Sequence, residues 1–512
     1  MSDSATAQRI VDRPGVPRLA RLRLRSDDSE TYRFTKTSRA IFALVTVLFA
    51  ATRLWNLTRY GLFSDEVFSA QVVGLGWREM IHAIIRDVVH PPLFYLLLKA
   101  WLLIGGGSLP WMKLFPVALA VASIIPFYLL CRELRLAPAT INLALSVMAV
   151  NEYLISYAQE LRMYSLLFSL TVTSLWLFAK LVNSDRLSRK LWVASFAVNL
   201  LLVFTHYYGW LIVAVEFSFL LISRRDLVFS FSLLLAGLVA CFLPWAFLVA
   251  EAAMDKGGLG PNLNWNVRPK FLDFIWFYAT LNGPVYNRWK AFATLFAAVL
   301  FITPTLVWAW RVIKEAGEND GALLMWLSFG SWLPAASAFV ASQMLPQSIW
   351  GARFLIIVAP AYLLLSSAAA MRLRPARVRI VTATLMILWA AFSGAGQLTN
   401  RDKIAWEPLV RRMIQAEADQ PGLTKVYAKQ GVTGVTVQYY LDNAGERRLR
   451  VEYADDFAEL NDAHFWVAFL KYAHENHPLP QSVLTERGYK VGDIIEADAP
   501  GHKVFLFPAW RR

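Results

Sequence analysis

The stretch Leu114–Cys131 reads LFPVALAVASIIPFYLLC and carries no charged side chain. A bilayer core of about 30 Å needs about 20 such apolar residues to be crossed by a helix. Runs of this kind recur at Met163–Ala179, Leu227–Ala250, Ala291–Trp310, Phe354–Met371 and Ile380–Asn400. The 512 residues are 57% hydrophobic and 17% charged, whereas a soluble domain carries roughly 25% charge. Long uncharged runs point to lipid rather than to a large aqueous core. The 20 Trp and 18 Tyr suit membrane interfaces. The pattern predicts an all-α multi-pass membrane domain.

N-terminal to this run, the first span is expected at 40–57, with Arg53 near its outer end and placed to snorkel. A long loop, 58–113, follows. Later spans are expected at 114–131, 136–153, 163–180, 191–206, 208–223, 227–250, 291–310, 321–344, 353–371 and 380–398, about eleven in all. The turn His206-Tyr207-Tyr208-Gly209 divides an apolar stretch too long for one helix. Pro91–Gly107 is apolar but short, and a Lys such as Lys99 in mid-span costs roughly 2.5–3.5 kcal/mol. Leaving it outside places fourteen Lys and Arg, from Arg132 to Arg379, in short loops on one side. Seven, from Arg162 to Arg353, then lie on the other side after residue 114. Positive charge favours the cytoplasmic side, so 91–107 reads as a helix of the outer loop, packed at membrane depth.

The net charge of +14 belongs to these topogenic loops, and no nucleic-acid partner is expected. The first 38 residues, Arg-rich and without an apolar segment, read as a disordered cytoplasmic tail and not as a cleavable signal. Cys131 and Cys241 sit in or beside apolar runs and imply neither a disulfide nor a metal cluster. The transmembrane domain is expected over 39–399. From residue 400 to 512 charge rises and apolar runs shorten. Lys425–Ala428, Leu449–Tyr453, Phe465–Phe469 and Val504–Phe507 read as strands, with Val435–Leu441 and Gln481–Arg487 as helices between them. This predicts a small α/β domain on the outer face. No internal repeat is evident, so an inverted-repeat transporter gains no support.

Three outer segments carry the chemistry. Gly61-Leu62-Phe63-Ser64-Asp65-Glu66 places two carboxylates just beyond the first span. An amphipathic helix follows, with Met80, Ile81, Ile84, Ile85 and Val88 on one face and Arg78, Glu79, His82, Arg86 and Asp87 on the other. The loop ends in His90-Pro91-Pro92-Leu93, where Pro suits the first turn of a helix. Tyr157-Ala158-Gln159-Glu160-Leu161-Arg162-Met163-Tyr164 joins two spans outside. Arg353 enters the tenth span from outside, where an Arg usually has an anionic partner. Taken singly, each has a plainer reading: a helix cap, a tyrosine belt, a snorkelling arginine. Together, Asp65, Glu66, His90, Glu160, Arg162, His206 and Arg353 fall on one face, an acid/base set with cations. Glu216 lies deeper and reads as structural.

Ser64-Asp65-Glu66, His90-Pro91-Pro92-Leu93-Phe94-Tyr95 and Gln159-Glu160-Leu161-Arg162-Met163-Tyr164 resemble the polyprenyl-phosphate-sugar-dependent glycosyltransferases of the GT-C fold. The resemblance is to the bacterial branch of the protein mannosyltransferase family, which includes the lipid A aminoarabinose transferases. It covers 40–400 in layout and is strongest over 61–95 and 151–166, with His206-Tyr207-Tyr208 and Arg353-Phe354-Leu355 adding to it. The C-terminal domain identifies nothing.

The resemblance implies transfer of one sugar from an undecaprenyl-phosphate carrier to an envelope glycan, lipid or protein acceptor, with inversion, on the periplasmic face of a bacterial inner membrane. It implies Asp65 as base, Glu66 holding acceptor or donor, and Arg162 and Arg353 on the carrier phosphate. His90, Glu160, Tyr164 and His206 are further candidates for substrate contacts. The scheme needs no nucleotide, metal or other cofactor, and the chain has no P-loop. A flippase or transporter of a lipid-linked sugar is the alternative, and a non-catalytic receptor a third. Neither needs a carboxylate pair in a structured outer loop.

Overall fold

The computed structural model describes residues 23–26, 33–184, 188–255, 267–282, 290–315, 318–399, 404–418, 422–429, 431–454, 456–472, 479–499 and 502–511. Most of the basic tail, together with Arg186, Lys256 and Arg288 of the charge tally, lies outside the described residues. The helices in chain order begin with α1 (Lys36–Leu54), α2 (Asp65–Gly74), α3 (Trp77–Asp87) and α4 (Leu93–Gly105). Next come α5 (Leu109–Ala122), α6 (Ile124–Glu133), α7 (Pro138–Val150), α8 (Glu152–Ala158) and α9 (Tyr164–Asn183). They continue as α10 (Arg189–Thr205), α11 (Gly209–Ser223), α12 (Arg225–Asp255), α13 (Phe271–Asn282), α14 (Lys290–Glu315) and α15 (Glu318–Met344). The membrane domain closes with α16 (Ala359–Met371), entered through a short 3-10 turn at Phe354–Val358, and α17 (Ala376–Thr399).

Among the described residues, eight helices are long and apolar enough to cross a membrane, or nine if the bent pair α7–α8 is one span. The two remaining expected spans, α10 and α11, have 17 and 15 residues. At about 1.5 Å per residue each falls short of a core of about 30 Å, so the count of about eleven rests on this hairpin. Helix α4 has only 13 residues. Its Lys99 Nζ donates to the carbonyls of Val73 and Leu75 at the end of α2, which satisfies the ammonium within the loop.

Two local expectations change. The span expected at 136–153 bends by 61° between α7 and α8. Asn151 makes the break: its Oδ1 accepts from Leu154 N–H (3.0 Å), capping α8, and its Nδ2 donates to Leu281 O (2.8 Å). Arg53 is fully buried and does not snorkel. It donates to Ala149 O (2.9 Å) and Met148 O (2.8 Å), two of the last carbonyls of α7, which lack partners within their own helix. This fixes the end of α1 against α7.

Deep in the bundle, Glu216 of α11 accepts from Ser174 of α9 (2.7 Å) and Asn199 of α10 (3.3 Å), a polar tie between three helices. At the basic end, Leu24 N–H donates to Asn183 Oδ1 (2.7 Å) and Ser26 N–H to Leu134 O (2.9 Å). Arg372 bridges Ser26 and Asp320 there.

The C-terminal domain comprises α18 (Trp406–Ala416), β1 (Thr424–Ala428), α19 (Gly431–Asn443), β2 (Leu449–Tyr453), β3 (His464–Tyr472), α20 (Pro480–Glu486), β4 (Tyr489–Val491), β5 (Ile495–Ala499) and β6 (His502–Arg511). The strand order is β2-β1-β3-β6-β4, with β5 also paired to β6. β1 runs parallel to β2 and β3, and β6 antiparallel to β3 with Val467 opposite Phe507. The four expected strands and two expected helices are present. β4, β5 and α18 are additional. Helix α19 packs against α2 of the membrane domain.

Candidate active site

The turn after α1 brings the two adjacent carboxylates to different places. Gly61 sits at φ +64°, and a Cβ there would lie 2.3 Å from the Tyr440 hydroxyl, so this position requires glycine. Ser64 has φ 42° and ψ −99°, a region that costs a non-glycine residue and persists only when its surroundings hold it. Helix α2 then starts at Asp65, with Ser64 and not Asp65 at the cap.

Asp65 faces outward, its side chain 41% exposed, and Oδ2 accepts from Arg353 Nη1 at 2.8 Å. Glu66 turns inward and is 3% exposed. Its Oε1 pairs with Lys113 Nζ (2.8 Å) and accepts from Leu161 N–H (2.8 Å), while Oε2 accepts from Phe63 N–H (3.3 Å). Glu66 thereby ties α2 to α5 and to the turn carrying Arg162.

That turn is held at several points. Gln159 Nε2 donates to Arg53 O (2.8 Å) and Trp55 O (3.0 Å). Arg162 N–H donates to Glu160 O (2.7 Å). The Arg162 side chain is buried and runs under α2, donating to Asp65 O (3.1 Å), Ser69 Oγ (3.1 Å) and Tyr95 Oη (3.2 Å). Its Nη2 lies 3.3 Å from His90 Nδ1 and 3.4 Å from Nε2. An arginine only donates, so the imidazole must be neutral and offer a lone pair. Asp87 Oδ2 lies 3.5 Å from Nδ1, so a proton on Nδ1 would leave Nε2 as the acceptor.

His90 follows Val88, a β-branched residue at φ 56°, and Tyr207 donates to Val88 O (3.1 Å). Thus a left-handed residue precedes both Asp65 and His90 by one or two positions. His206 closes the cluster from α10: its ring is 5.5 Å from His90 and 4.7 Å from Phe354. Its Nδ1 accepts from Tyr208 N–H (3.1 Å), and its buried Nε2 has no hydrogen-bond partner among the described residues. The segment delivering Arg353 is fixed by Tyr153, donating to Ala352 O (2.6 Å), and by Tyr208, donating to Ile349 O. Tyr164 packs on Tyr157 at 4.9 Å and keeps a buried hydroxyl with no hydrogen-bond partner among the described residues. Glu160 is half-buried and is an electrostatic neighbour of Tyr153 and Tyr164.

Electrostatics sharpen the assignment. Burial alone would raise the Asp65 pKa, but the Arg162 and Arg353 guanidiniums outweigh it and hold the carboxyl below its ordinary value. Burial pushes His90 well down, and the same two cations add to this. The site is a half-exposed carboxylate–guanidinium pair over a buried arginine and a neutral imidazole. It can bind an anion at the arginines and accept a proton at Asp65.

Asp65, His90, Arg162, His206 and Arg353 lie in one cluster, whereas Glu66 turns away from it to Lys113. Lys113, Tyr95 and Ser69 complete the arrangement; Tyr95 ends the His90–Tyr95 motif, whereas Lys113 and Ser69 lie outside the motifs read from the sequence. Lys113 stands beside the apolar run, between Met112 and Leu114, and a lysine there calls for a buried acid; that was the available signal.

No protein-family model matches the chain, and no curated protein matches it in sequence. Solved structures match in fold. ArnT from Cupriavidus metallidurans bound to undecaprenyl phosphate superposes with a TM-score of 0.53 at 14% identity, covering 93% of this chain and 98% of that one. The archaeal oligosaccharyltransferase AglB from Archaeoglobus fulgidus, in complex with an inhibitory peptide and a dolichol-phosphate, gives a TM-score of 0.51 at 12% identity over 81% of this chain and 64% of that one. The chain has the GT-C fold of these proteins, a multi-pass helical domain followed by a small C-terminal sheet domain.

Proposed function

We propose that the chain is a membrane glycosyltransferase that moves one sugar from an undecaprenyl-phosphate-linked donor to an envelope glycan, lipid or protein acceptor, with inversion. The observation carrying this reading is the Asp65–Arg353 pair, 2.8 Å apart, lying over buried Arg162. A base and two phosphate-binding cations are what such a transfer needs on one surface. Supporting it, solved proteins of the same fold were captured with undecaprenyl phosphate and dolichol-phosphate.

In this scheme the acceptor O–H gives its proton to the Asp65 carboxylate. The freed oxygen pair forms the new bond to the anomeric carbon. The carbon–oxygen bond to phosphate breaks, and its electrons leave on the polyprenyl phosphate. Arg353 exchanges Asp65 for the donor phosphate, which releases the carboxylate to act as base. A guanidinium about 4 Å from the developing charge contributes on the order of 4 kcal/mol at an effective dielectric of 20. Arg162, held by Ser69 and Tyr95, supplies a second fixed cation. His90 and His206 wall the cluster beside Arg162, and Tyr164 and Glu160 lie beside Arg353 and the Arg162 turn as further substrate contacts. Glu66 positions Asp65 and Arg162 through Lys113 and Leu161 and does not touch substrate.

The charge asymmetry of the loops supports an inside N-terminus and a periplasmic site in a bacterial inner membrane. Purified protein given labelled undecaprenyl-phosphate sugar and envelope acceptors tests the reading. Transfer of label to an acceptor supports it. Movement of intact donor across a vesicle bilayer, without bond cleavage, rejects it in favour of a flippase.

A further inference from the structure

The C-terminal domain reaches across the chain to hold the turn that presents Asp65. The Tyr440 hydroxyl of α19 accepts from Leu62 N–H (2.8 Å) and donates to Leu62 O (2.9 Å), 378 residues away in sequence. Leu62 is fully buried. One phenol therefore satisfies both backbone groups of a residue that water does not reach, and leaving either unpaired is costly. One turn earlier in α19, buried Thr436 accepts from Ser64 N–H through Oγ1 (3.2 Å). Between these two bonds, the Phe63 ring stacks on Trp406 of α18 at 6.2 Å and on His502 of β6 at 6.3 Å.

Each grip lands on a residue that needs it. Gly61 at φ +64° leaves the space in which the Tyr440 hydroxyl sits. Ser64 at φ 42° is off the conformations a serine prefers, so an outside partner must hold it there. The residue after Ser64 is Asp65. From the membrane domain the turn is held, among the described residues, only by bonds of short sequence range: Gly61 N–H to Thr58 O (3.4 Å), Phe63 N–H to Glu66 Oε2 (3.3 Å), Glu66 N–H to Phe63 O (2.8 Å) and Phe68 N–H to Ser64 O (3.1 Å).

We propose that Tyr440 and Thr436 are positioning residues, through which the C-terminal domain holds the Gly61–Ser64 turn so that Asp65 points at Arg353 and at the acceptor. Neither side chain touches the reacting atoms. The inference rests on the reading of Asp65 as base.

The test uses full-length protein with Tyr440→Phe, which keeps the ring and removes the hydroxyl, beside Asp65→Asn and the double variant. A misplacement of about 1 Å at a reacting group costs on the order of 10²-fold. Tyr440→Phe is expected to lower single-turnover transfer by about 10- to 100-fold, with binding of labelled undecaprenyl phosphate unchanged. In the double variant the tyrosine change adds nothing to the residual rate of Asp65→Asn, because the group it positions is gone. A merely structural tyrosine would slow both backgrounds equally, and that result overturns the inference. Native turnover in Tyr440→Phe with a dead Asp65→Asn also overturns it and leaves the transferase reading intact. Parental turnover in Asp65→Asn overturns both. Should Tyr440→Phe fail to reach the membrane, Thr436→Val carries the same test, with Thr436→Ser expected to restore the rate.

Discussion

Arg353 Nη1 donates to Asp65 Oδ2 at 2.8 Å, joining the entry of α16 to the first residue of α2 across 288 positions of sequence. Both side chains remain partly exposed, at 29% and 41%. Beneath them Arg162 bonds the backbone carbonyl of Asp65 and leaves its carboxylate to Arg353. One cation is thus buried and bound to α2 while the other is partly exposed, an arrangement that would suit the proposed transfer, in which Arg353 takes up an anion and frees a base.

The exchangeable cation can be tested by shape. A planar guanidinium grips phosphate with two parallel bonds, whereas an ammonium is a point charge. Arg353→Lys should weaken undecaprenyl-phosphate binding modestly and Arg353→Ala strongly, by about tenfold or more, which corresponds to about 1.4 kcal/mol or more. Titration calorimetry with the purified variants measures this. Equal, near-native affinity in both would reject a phosphate role for Arg353.

Glu66 and Lys113 form a buried pair at 2.8 Å. Removing one partner of such a pair costs about 3–5 kcal/mol, because a buried charge is left uncompensated. Lys113→Met alone should therefore lower the thermal midpoint and membrane yield sharply. Lys113→Met with Glu66→Gln should recover part of the loss, although Leu161 and Phe63 N–H then face an amide. A double variant less stable than either single one would argue against the pair as the organising contact.

The span pattern was legible because uncharged runs need only composition to be seen. The three site-bearing loops were legible because their charges stand out against those runs. What could not be read were contacts between distant segments. Nothing local marks Asn151 as a partner of Leu281, Arg53 as a cap on α7, or Tyr440 as a partner of Leu62. Each is a hydrogen bond spanning 96 to 378 residues, and such bonds leave no periodicity behind. Asp65 and Glu66 are neighbours in sequence, yet one faces solvent and the other a buried lysine. Only the direction of α2 decides which is which.

His90 gives a pH signature. Its ring is neutral in the fold, facing Arg162, Asp87 and His206, with its pKa well below 6.5. The unfolded chain takes up a proton near pH 6.5 that the fold refuses. Stability therefore falls as pH drops below about 6.5, until the folded pKa is reached. His90→Gln keeps an acceptor for Arg162 and removes the titration. Thermal midpoints between about pH 8 and 5 should decline less steeply in the variant, by up to about 1.4 kcal/mol per pH unit. Identical slopes would mean that His90 is already charged in the fold.

Orientation is tested by reporter fusions at residues 185, 270, 375 and 450, expected to read inside, outside, inside and outside in that order. Residues 375 and 450 on the reversed sides would put Asp65 on the cytoplasmic face and overturn the periplasmic assignment.

The central claim is that Asp65 takes the acceptor proton. Because Ser64 holds the cap position and Asp65 is the first residue of α2, Asp65→Asn removes the base while leaving the helix start in place. The decisive measurement is single-turnover transfer of labelled sugar from undecaprenyl phosphate by Asp65→Asn protein. Normal membrane yield, retained binding of the carrier and a rate lower by roughly 10²-fold or more are expected. Transfer at close to the parental rate would contradict the claim.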